Sequence, residues 1–199
     1  MGKVALLLKA ILHPADVLRA VSTAVRLADG EKGAAALGGL TDEETAALIG
    51  FLPDEGTLVE FGTLFGLTAK AVATAKPRLK VVAVDNFSWN PLGLPAALHE
   101  RFTRQILSAE IAAGRVEVVR TTSAAFRASC TEPPAAVFFD AQHEYGPVRD
   151  EIAWARRIGV RCICGHDYAN PSPRFGVTRA VDEAFGGNVD VAGMVWRAR

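Results

Sequence analysis

Polar side chains that could do chemistry follow the apolar runs of this sequence, at the point where each run ends. They are Glu60, Asp85, the group Thr121-Thr122-Ser123, Asp140 and the pair His166-Asp167. If these runs are parallel strands, their carboxyl ends meet at one edge of a sheet, which is where such sheets bind ligands. A carboxylate there is half desolvated, which costs free energy unless a partner compensates. Five polar groups on one edge therefore predict a binding site.

The segment TLVEFGTLFGLTAKAV (residues 57–72) places two glycines, Gly62 and Gly66, between a predicted strand and a predicted helix. It lacks the Lys and Ser/Thr of a phosphate-binding P-loop, and position 64 is Leu where a dinucleotide fingerprint needs Gly. Glu60 would repel a pyrophosphate at the helix N-terminus but would attract an ammonium or sulfonium group. Asp85, 23 residues after Gly62, is placed to accept hydrogen bonds from ribose hydroxyls. The pattern predicts a site for a cationic nucleoside, with a plain tight turn capped by Glu60 as the alternative.

The elements that position these residues alternate between short apolar strands and helices. Strands are predicted at 57–61, 79–84, 116–120, 135–139 and 161–165, with one or two closing strands in 189–198. Helices are predicted at 14–28, from Thr41 to Pro53 with Glu44 completing a capping box, at 67–76, from Pro95 to Gly114, at 147–157 and at 177–185. This alternation predicts an α/β fold with a parallel sheet covered on both faces. We expect a single domain over 1–199, with N-terminal helices in 1–53 and the sheet core in 57–199.

The composition argues against several functional classes. The 199 residues include 22 basic and 22 acidic side chains, so no general basic field is available to bind a nucleic-acid backbone. The apolar run near the N-terminus is interrupted by Lys9 and is too short to span a bilayer, so no membrane role is expected. Three cysteines form no disulfide framework and favour a reducing compartment, hence a cytoplasmic protein. Residues 3–12 are a candidate contact with a second subunit of a homodimer.

Four segments, in this order, resemble the class I S-adenosylmethionine-dependent methyltransferases. VEFGTLFGLTA is similar to their first motif in its Glu-x-Gly-x3-Gly-x-Ser/Thr form, and VVAVDNF is similar to the second. FFDAQHEYGPVRDEI and GHDY are similar to segments of the small-molecule O-methyltransferases that include the catechol, macrocin and rhamnosyl enzymes. The resemblance covers residues 57–185 and implies a Rossmann-like, doubly wound, mostly parallel sheet of about seven strands with an N-terminal helical extension. Ala141-Gln142 departs from the family pattern, which usually has Gly followed by Asp or another polar residue.

The resemblance also implies roles for the residues at the strand ends. Ten residues would bind the cofactor S-adenosylmethionine. Around its methionine part would lie Glu60, Gly62, Thr63, Gly66 and Thr68. Asp85 would bind the ribose, Asn86, Thr122 and Ser123 would contact the adenine, and Asp140 would complete the set. For Thr122 and Ser123, an ordinary turn with side chains bonded to the backbone is the alternative. The loops 86–94 and 168–176 would stand above the site, with Trp89 and Phe175 either contacting the acceptor or packing.

Asp140 and the pair His166-Asp167 end neighbouring strands, so their side chains are expected about 5 Å apart. Two carboxylates at that distance repel each other unless a proton or a cation lies between them. In the enzymes resembled here, acidic positions at these strand ends bind a divalent metal, which makes Mg²⁺ on Asp140, His166 and Asp167 a candidate second cofactor; pairing with Arg or backbone donors is the alternative. His143 is predicted to take a proton from the acceptor, with Asp140 as the second catalytic residue. A structural role is the alternative for His143, and His99 is expected to have no role in the site.

The sequence thus predicts an S-adenosylmethionine-dependent enzyme that transfers a methyl group to a hydroxyl of a small molecule. Three alternatives stay open. One is a nicotinamide-dependent reductase, against which the missing middle glycine and Glu60 argue. The others are a non-catalytic nucleoside-binding module that binds a protein partner, and a metal-dependent hydrolase built from Asp140, His143, His166 and Asp167.

Overall fold

The computed structural model describes residues 39–199. The predicted helix at 14–28, the candidate dimer segment at 3–12 and most of the predicted N-terminal extension lie outside the described residues. Within residues 39–199, seven strands and seven helices build one α/β unit. None of the helices in this part of the chain is long and apolar enough to cross a membrane.

The strands are β1 (Glu55–Phe61), β2 (Arg78–Asp85), β3 (Val116–Arg120), β4 (Ala136–Phe139), β5 (Cys162–Gly165), β6 (Val189–Ala192) and β7 (Val195–Ala198). They form one sheet in the order β3-β2-β1-β4-β5-β7-β6. Strands β1 to β5 pair in parallel, whereas β7 runs antiparallel to both β5 and β6. The predicted doubly wound, mostly parallel sheet of seven strands is confirmed. Its strand order reverses between β1 and β4, which opens a crevice at their carboxyl ends.

The helices cover both faces of this sheet. They are α1 (Asp42–Phe51), α2 (Leu67–Ala75), α3 (Ala96–Ile106), α4 (Ser108–Ala112), α5 (Ser123–Ser129), α6 (Tyr145–Ile158) and α7 (Val177–Phe185). Leu58 of β1 packs in one buried cluster with residues of α1 and α2, and its neighbour Val59 packs in a second cluster with residues of α6 and α7. Successive side chains of a strand point to opposite faces, so a strand covered on both faces must be apolar throughout. This is the pattern that the sequence displays.

Helix α1 begins as its capping box predicts. The Thr41 hydroxyl accepts a hydrogen bond from the Glu44 amide at 3.2 Å, and the Glu44 carboxylate accepts one from the Thr41 amide at 3.0 Å. The helix ends at Phe51, two residues before Pro53.

One helix prediction needs correction, and one helix was missed. The helix expected from Pro95 to Gly114 is broken into α3 and α4 at Leu107, whose backbone leaves the helical region (φ −90°, ψ 8°) while its side chain is fully buried. Helix α5 was not predicted from the sequence. It begins at Ser123 because the Thr122 hydroxyl caps it by accepting from the Ala125 amide at 3.1 Å. None of its side chains is fully buried, so it carries little apolar periodicity to predict it from.

Candidate functional site

A cavity of 940 Å³ lies at the carboxyl ends of the parallel strands. Of the predicted site residues it is lined by Gly62, Thr63, Thr68, Asp85, Asn86, Thr122, Ser123, Asp140, His143, His166 and Asp167. Trp89 and Phe175, from the two loops expected above the site, also line it, and Trp89 is 68% exposed. The volume is typical of small-molecule sites. Glu60 and Gly66 are not among the lining residues.

Two glycines shape the turn from β1 into α2. Gly62 has φ +88°, its amide donates to the Val84 carbonyl at 2.9 Å, and a Cβ added to it would meet the Asp140 carbonyl oxygen at 2.3 Å. Only glycine allows β1 and the end of β4 to approach so closely. Gly66 has φ +80° at the N-cap of α2, and a Cβ there would meet the Leu107 side chain at 2.7 Å. Gly66 therefore shapes the loop from behind the cavity.

Glu60 lies one layer below the cavity surface. It is 1% exposed, and its Oε2 accepts a hydrogen bond from the Thr63 hydroxyl at 2.8 Å. Burial raises the pKa of Glu60 to about 8; the Thr63 bond opposes the rise, and the nearby charges of Asp140 and Asp85 add to it. Thr63, which does line the cavity, stands between Glu60 and the cavity. Glu60 is therefore placed to act on a ligand through Thr63, and through a negative charge once a cationic ligand lowers its pKa.

Asp85 fixes the loop that borders the cavity. Its two carboxylate oxygens accept from the Leu64 amide at 2.8 Å and from the Phe87 amide at 2.6 Å. Leu64 has φ +50°, an unfavourable backbone for a non-glycine residue, and its carbonyl accepts from the Thr103 hydroxyl at 2.5 Å and from His99 Nε2 at 3.0 Å. His99, predicted to have no role, thus holds this loop from α3. Burial lowers the pKa of His99, which favours the neutral ring.

Asp140, His166 and Asp167 form a compact cluster on the other side of the cavity. Each offers one ligand atom, and these atoms lie within 4.8 Å of one another. His166 Nδ1 is 3.7 Å from Asp140 Oδ1 and 3.6 Å from Asp167 Oδ1, while its Nε2 is 3.4 Å from Glu44 Oε1. Burial acts to lower the pKa of His166, but these three carboxylates outweigh it and raise the pKa to about 9. The imidazolium thus compensates the carboxylates, and a metal ion would have to displace its proton.

Burial raises the pKa of Asp140 to about 7, although the charge of His166 opposes the rise.

Glu44 is a site residue that the sequence did not reveal. Its Oε1 accepts from the Met194 amide at 2.9 Å while its Oε2 completes the capping box. The capping box accounts for a glutamate at this position of the sequence, so it gave no sign of a second role. The contact of Glu44 with His166 joins two segments that are far apart in the sequence.

His143 is held against Asp167. Its Nδ1 is 3.0 Å from Asp167 Oδ2, and its ring stacks on Phe175 with centroids 4.4 Å apart. The bond to Asp167 raises the pKa of His143 against the effect of burial. Burial also acts to raise the pKa of Asp167, but His143 and His166 hold it well below its usual range. Because Asp167 occupies Nδ1, the nitrogen left to exchange a proton with a ligand is Nε2.

The cavity is rich in acidic groups. Its lining residues within 39–199 include six carboxyl side chains, those of Glu44, Asp85, Asp140, Asp150, Glu151 and Asp167. Arg127 is the only lysine or arginine among them, and its Nη1 donates to the Asp150 carbonyl at 3.0 Å. Such a cavity suits a ligand that carries positive charge and is poorly suited to a pyrophosphate.

No protein-family model and no curated protein matches the sequence. Solved structures do match. A candidate O-methyltransferase from Klebsiella pneumoniae superimposes with a TM-score of 0.59 at 17% identity, over 96% of this chain and 92% of that one. CalS11, a TDP-rhamnose 3′-O-methyltransferase of calicheamicin biosynthesis, does so with a TM-score of 0.54 at 19% identity, over 78% and 76%. The methyltransferase CalO1 in its SAH-bound form gives 0.51 at 16%, over 79% and 52%. At these identities the likeness establishes the fold, and the chain has the fold of these methyltransferases.

Proposed function

We propose that this protein transfers a methyl group from S-adenosylmethionine to a hydroxyl of a small molecule. The observation that carries the proposal is the acidic cavity beside the Gly62 turn, at the point where the strand order reverses. S-Adenosylmethionine carries an ammonium and a sulfonium group and no phosphate, so its charge complements this cavity. A nicotinamide dinucleotide would bring its pyrophosphate to the same place, which argues against the reductase alternative.

The placement of the rim residues supports an orientation for this ligand. The ribose would lie at Asp85, whose oxygens already face the Leu64 and Phe87 amides and keep further acceptor capacity. The methionine part would run along Gly62, Thr63 and Thr68, close to the charges of Glu60 and Asp140. The adenine would extend towards Asn86, Thr122 and Ser123.

His143 is the proposed general base. When bound, S-adenosylmethionine would supply an electrophilic methyl group on its sulfonium sulfur. His143 Nε2 would take the proton from the acceptor hydroxyl as the acceptor oxygen bonds to the methyl carbon, while the bond from that carbon to sulfur breaks and S-adenosylhomocysteine leaves. Asp167 holds the His143 ring through Nδ1 and stabilises the imidazolium that forms. Phe175, stacked on the imidazole, restricts its rotation. The rest of the rate enhancement comes from alignment of the two reactants.

The carboxylates of Asp140 and Asp167 fit a divalent ion such as Mg²⁺, which takes oxygen ligands. His166, the third predicted ligand, fits it poorly, because its imidazole would first have to lose a proton and suits other metals better. Such an ion would lower the pKa of an acceptor hydroxyl and orient it. Without an ion, His166 compensates the same carboxylates, so the proposed proton transfer to His143 does not depend on the metal.

The acceptor is proposed to be a small hydroxylated molecule that enters beneath Trp89 and Phe175. These two aromatic side chains line the cavity from loops at its mouth, where they could contact a ring of the acceptor. CalS11 is, by its name, an O-methyltransferase that acts on TDP-rhamnose. A homodimer formed through residues 3–12 stays a prediction, to be tested by sedimentation.

The test is a calorimetric titration of S-adenosylmethionine into the purified protein, first in EDTA and then with Mg²⁺. We expect micromolar binding that Asp85→Ala abolishes. Asp54→Ala is the matched control, because Asp54 lies on the surface and pairs with Lys76. Thermal melts of both variants establish that they are folded. Absence of binding to the wild type under both conditions would overturn the proposal. Binding without turnover on any hydroxylated acceptor would favour the nucleoside-binding module instead.

A further inference from the structure

Glu151 is a buried carboxyl group that the proposed reaction leaves without a role. It lies in the second turn of α6, it is 0% exposed, and it borders the cavity. Neither of its carboxylate oxygens has a hydrogen-bond partner among residues 39–199. A buried carboxyl without partners is costly, so a group of this kind at a cavity wall points to a ligand that supplies the missing donor.

The neighbours of Glu151 do not compensate it. Burial raises the pKa of Glu151 to about 7, and the charge of Arg127 and the nearby hydroxyl of Ser123 oppose this rise. Neither neighbour completes a hydrogen bond to the Glu151 carboxyl group. Arg127 uses Nη1 on the Asp150 carbonyl, and its Nε has no partner among the described residues. A carboxyl group in either protonation state keeps an oxygen that accepts hydrogen bonds. The wall between α5 and α6 therefore presents an acceptor to the cavity.

This acceptor lies on the side of the cavity where the base of a bound nucleoside would be expected. Helices α5 and α6 follow β3 and β4, and residues of both line the cavity, among them Ser123 and Arg127 of α5 and Glu151 of α6. Asp85 pairs with Arg120 at the ends of β2 and β3, and the Thr121 amide donates to the Asp85 carbonyl at 3.0 Å. A base that extends from a ribose at Asp85 towards Thr122 and Ser123 would therefore approach this wall. Thr122, at the end of β3, uses its hydroxyl as an acceptor for the Ala125 amide. Residues 121–124 include no acidic side chain, so the acceptor on this side comes from α6.

We propose that Glu151 is the specificity-determining residue for the base, accepting a hydrogen bond from the exocyclic amino group of adenine. This inference rests on the proposed function, because it requires that the cavity binds S-adenosylmethionine and its product S-adenosylhomocysteine. It assigns the selection of an amino-bearing purine to one buried side chain. A purine with hydrogen in place of the 6-amino group would leave the Glu151 carboxyl unpaired.

The test compares two ligands, S-adenosylhomocysteine and its analogue with hydrogen at purine position 6, by calorimetry. The measured quantity is the ratio of their dissociation constants. We expect the wild type to bind the analogue about 10- to 100-fold more weakly. Glu151→Leu, of similar size but without an acceptor, should bring the ratio close to one. Glu151→Gln should retain much of it, because the amide oxygen also accepts a hydrogen bond.

The control is Glu183→Gln, an exposed glutamate of α7 that pairs with Arg179 and Tyr145. It should keep the wild-type ratio. A purely structural role for Glu151 would weaken both ligands equally and leave the ratio unchanged in Glu151→Leu, which would overturn the inference. A wild-type ratio close to one would also overturn it while leaving the proposed function intact. Absence of S-adenosylhomocysteine binding to the wild type would overturn both.

Discussion

Replacing Glu60 by Gln should make the stability of this protein less sensitive to pH. Glu60 is buried below the cavity, and its pKa is raised from 4.5 to about 8. Between these two values the unfolded chain carries the group ionised, while the folded protein keeps it protonated. Folding then takes up a proton, so the free energy of unfolding falls as the pH rises.

The size of the effect follows from the shift. Each pH unit within this window removes about 1.4 kcal/mol from the free energy of unfolding. Glu60→Gln keeps the shape of the neutral acid and an oxygen that accepts from the Thr63 hydroxyl, but it does not titrate. Relative to the wild type, the variant should be nearly as stable at pH 5 and more stable by roughly 3 kcal/mol at pH 7.5.

The assay is urea unfolding of both proteins at several pH values between 5 and 8, with Glu132→Gln as the control because Glu132 is an exposed loop residue. Buried acids that do not act on Glu60, such as Glu151, titrate in both proteins and cancel in the difference. A difference between variant and wild type that stays constant over this range would refute the reasoning, since it would show that Glu60 is ionised in the folded protein. The same variant should bind S-adenosylmethionine more weakly, as it cannot become an anion beside the ligand.

Three further outcomes are expected. Gly62→Ala, whose Cβ would meet the Asp140 carbonyl at 2.3 Å with φ at +88°, should cost about 3 kcal/mol or more, seen as a lower melting temperature. Asp167→Asn should move the acidic limb of the kcat/KM profile to lower pH, because the base must be neutral and Asp167 raises the pKa of His143; an unmoved limb would exclude His143 as the base. His99→Leu should raise the KM for S-adenosylmethionine about three- to tenfold at unchanged kcat, whereas an equal loss in kcat would contradict a role limited to the binding loop.

The sheet could be predicted from the sequence because its strands are apolar on both faces. Leu58 and Val59, adjacent in β1, enter two different cores, and only a doubly covered strand requires this. The start of α1 was equally local, since Thr41 and Glu44 bond to each other. Helix α5 and the break at Leu107 were not predictable in this way. Helix α5 has no fully buried side chain, so its sequence has no apolar pattern to indicate it. The break at Leu107 depends on how the Leu107 side chain packs beside Gly66, which is distant in the sequence.

The candidate site was predictable as far as strand ends determine it. Residues that follow parallel strands must meet at one edge, so Asp85, Asp140 and Asp167 came together as expected. The contacts that hold them were not predictable, because they join distant parts of the chain. Glu44 bonds to the Met194 amide 150 residues away, and a capping box gives no sign of such a contact.

The raised pKa values at this cavity have a common meaning. Glu60 and Asp140 titrate near neutral pH because burial and neighbouring carboxylates disfavour their charged forms. A cationic ligand favours the charged forms of both groups, so its binding is coupled to their ionisation and releases protons. The cost of ionising them reduces the observed binding free energy. A neutral or anionic nucleotide gains nothing from them. Methyl transfer turns a sulfonium into a neutral thioether, which restores part of the repulsion among the carboxylates. The acidic cavity would therefore hold the substrate form of the cofactor more tightly than the product form, and this difference favours exchange after each turnover.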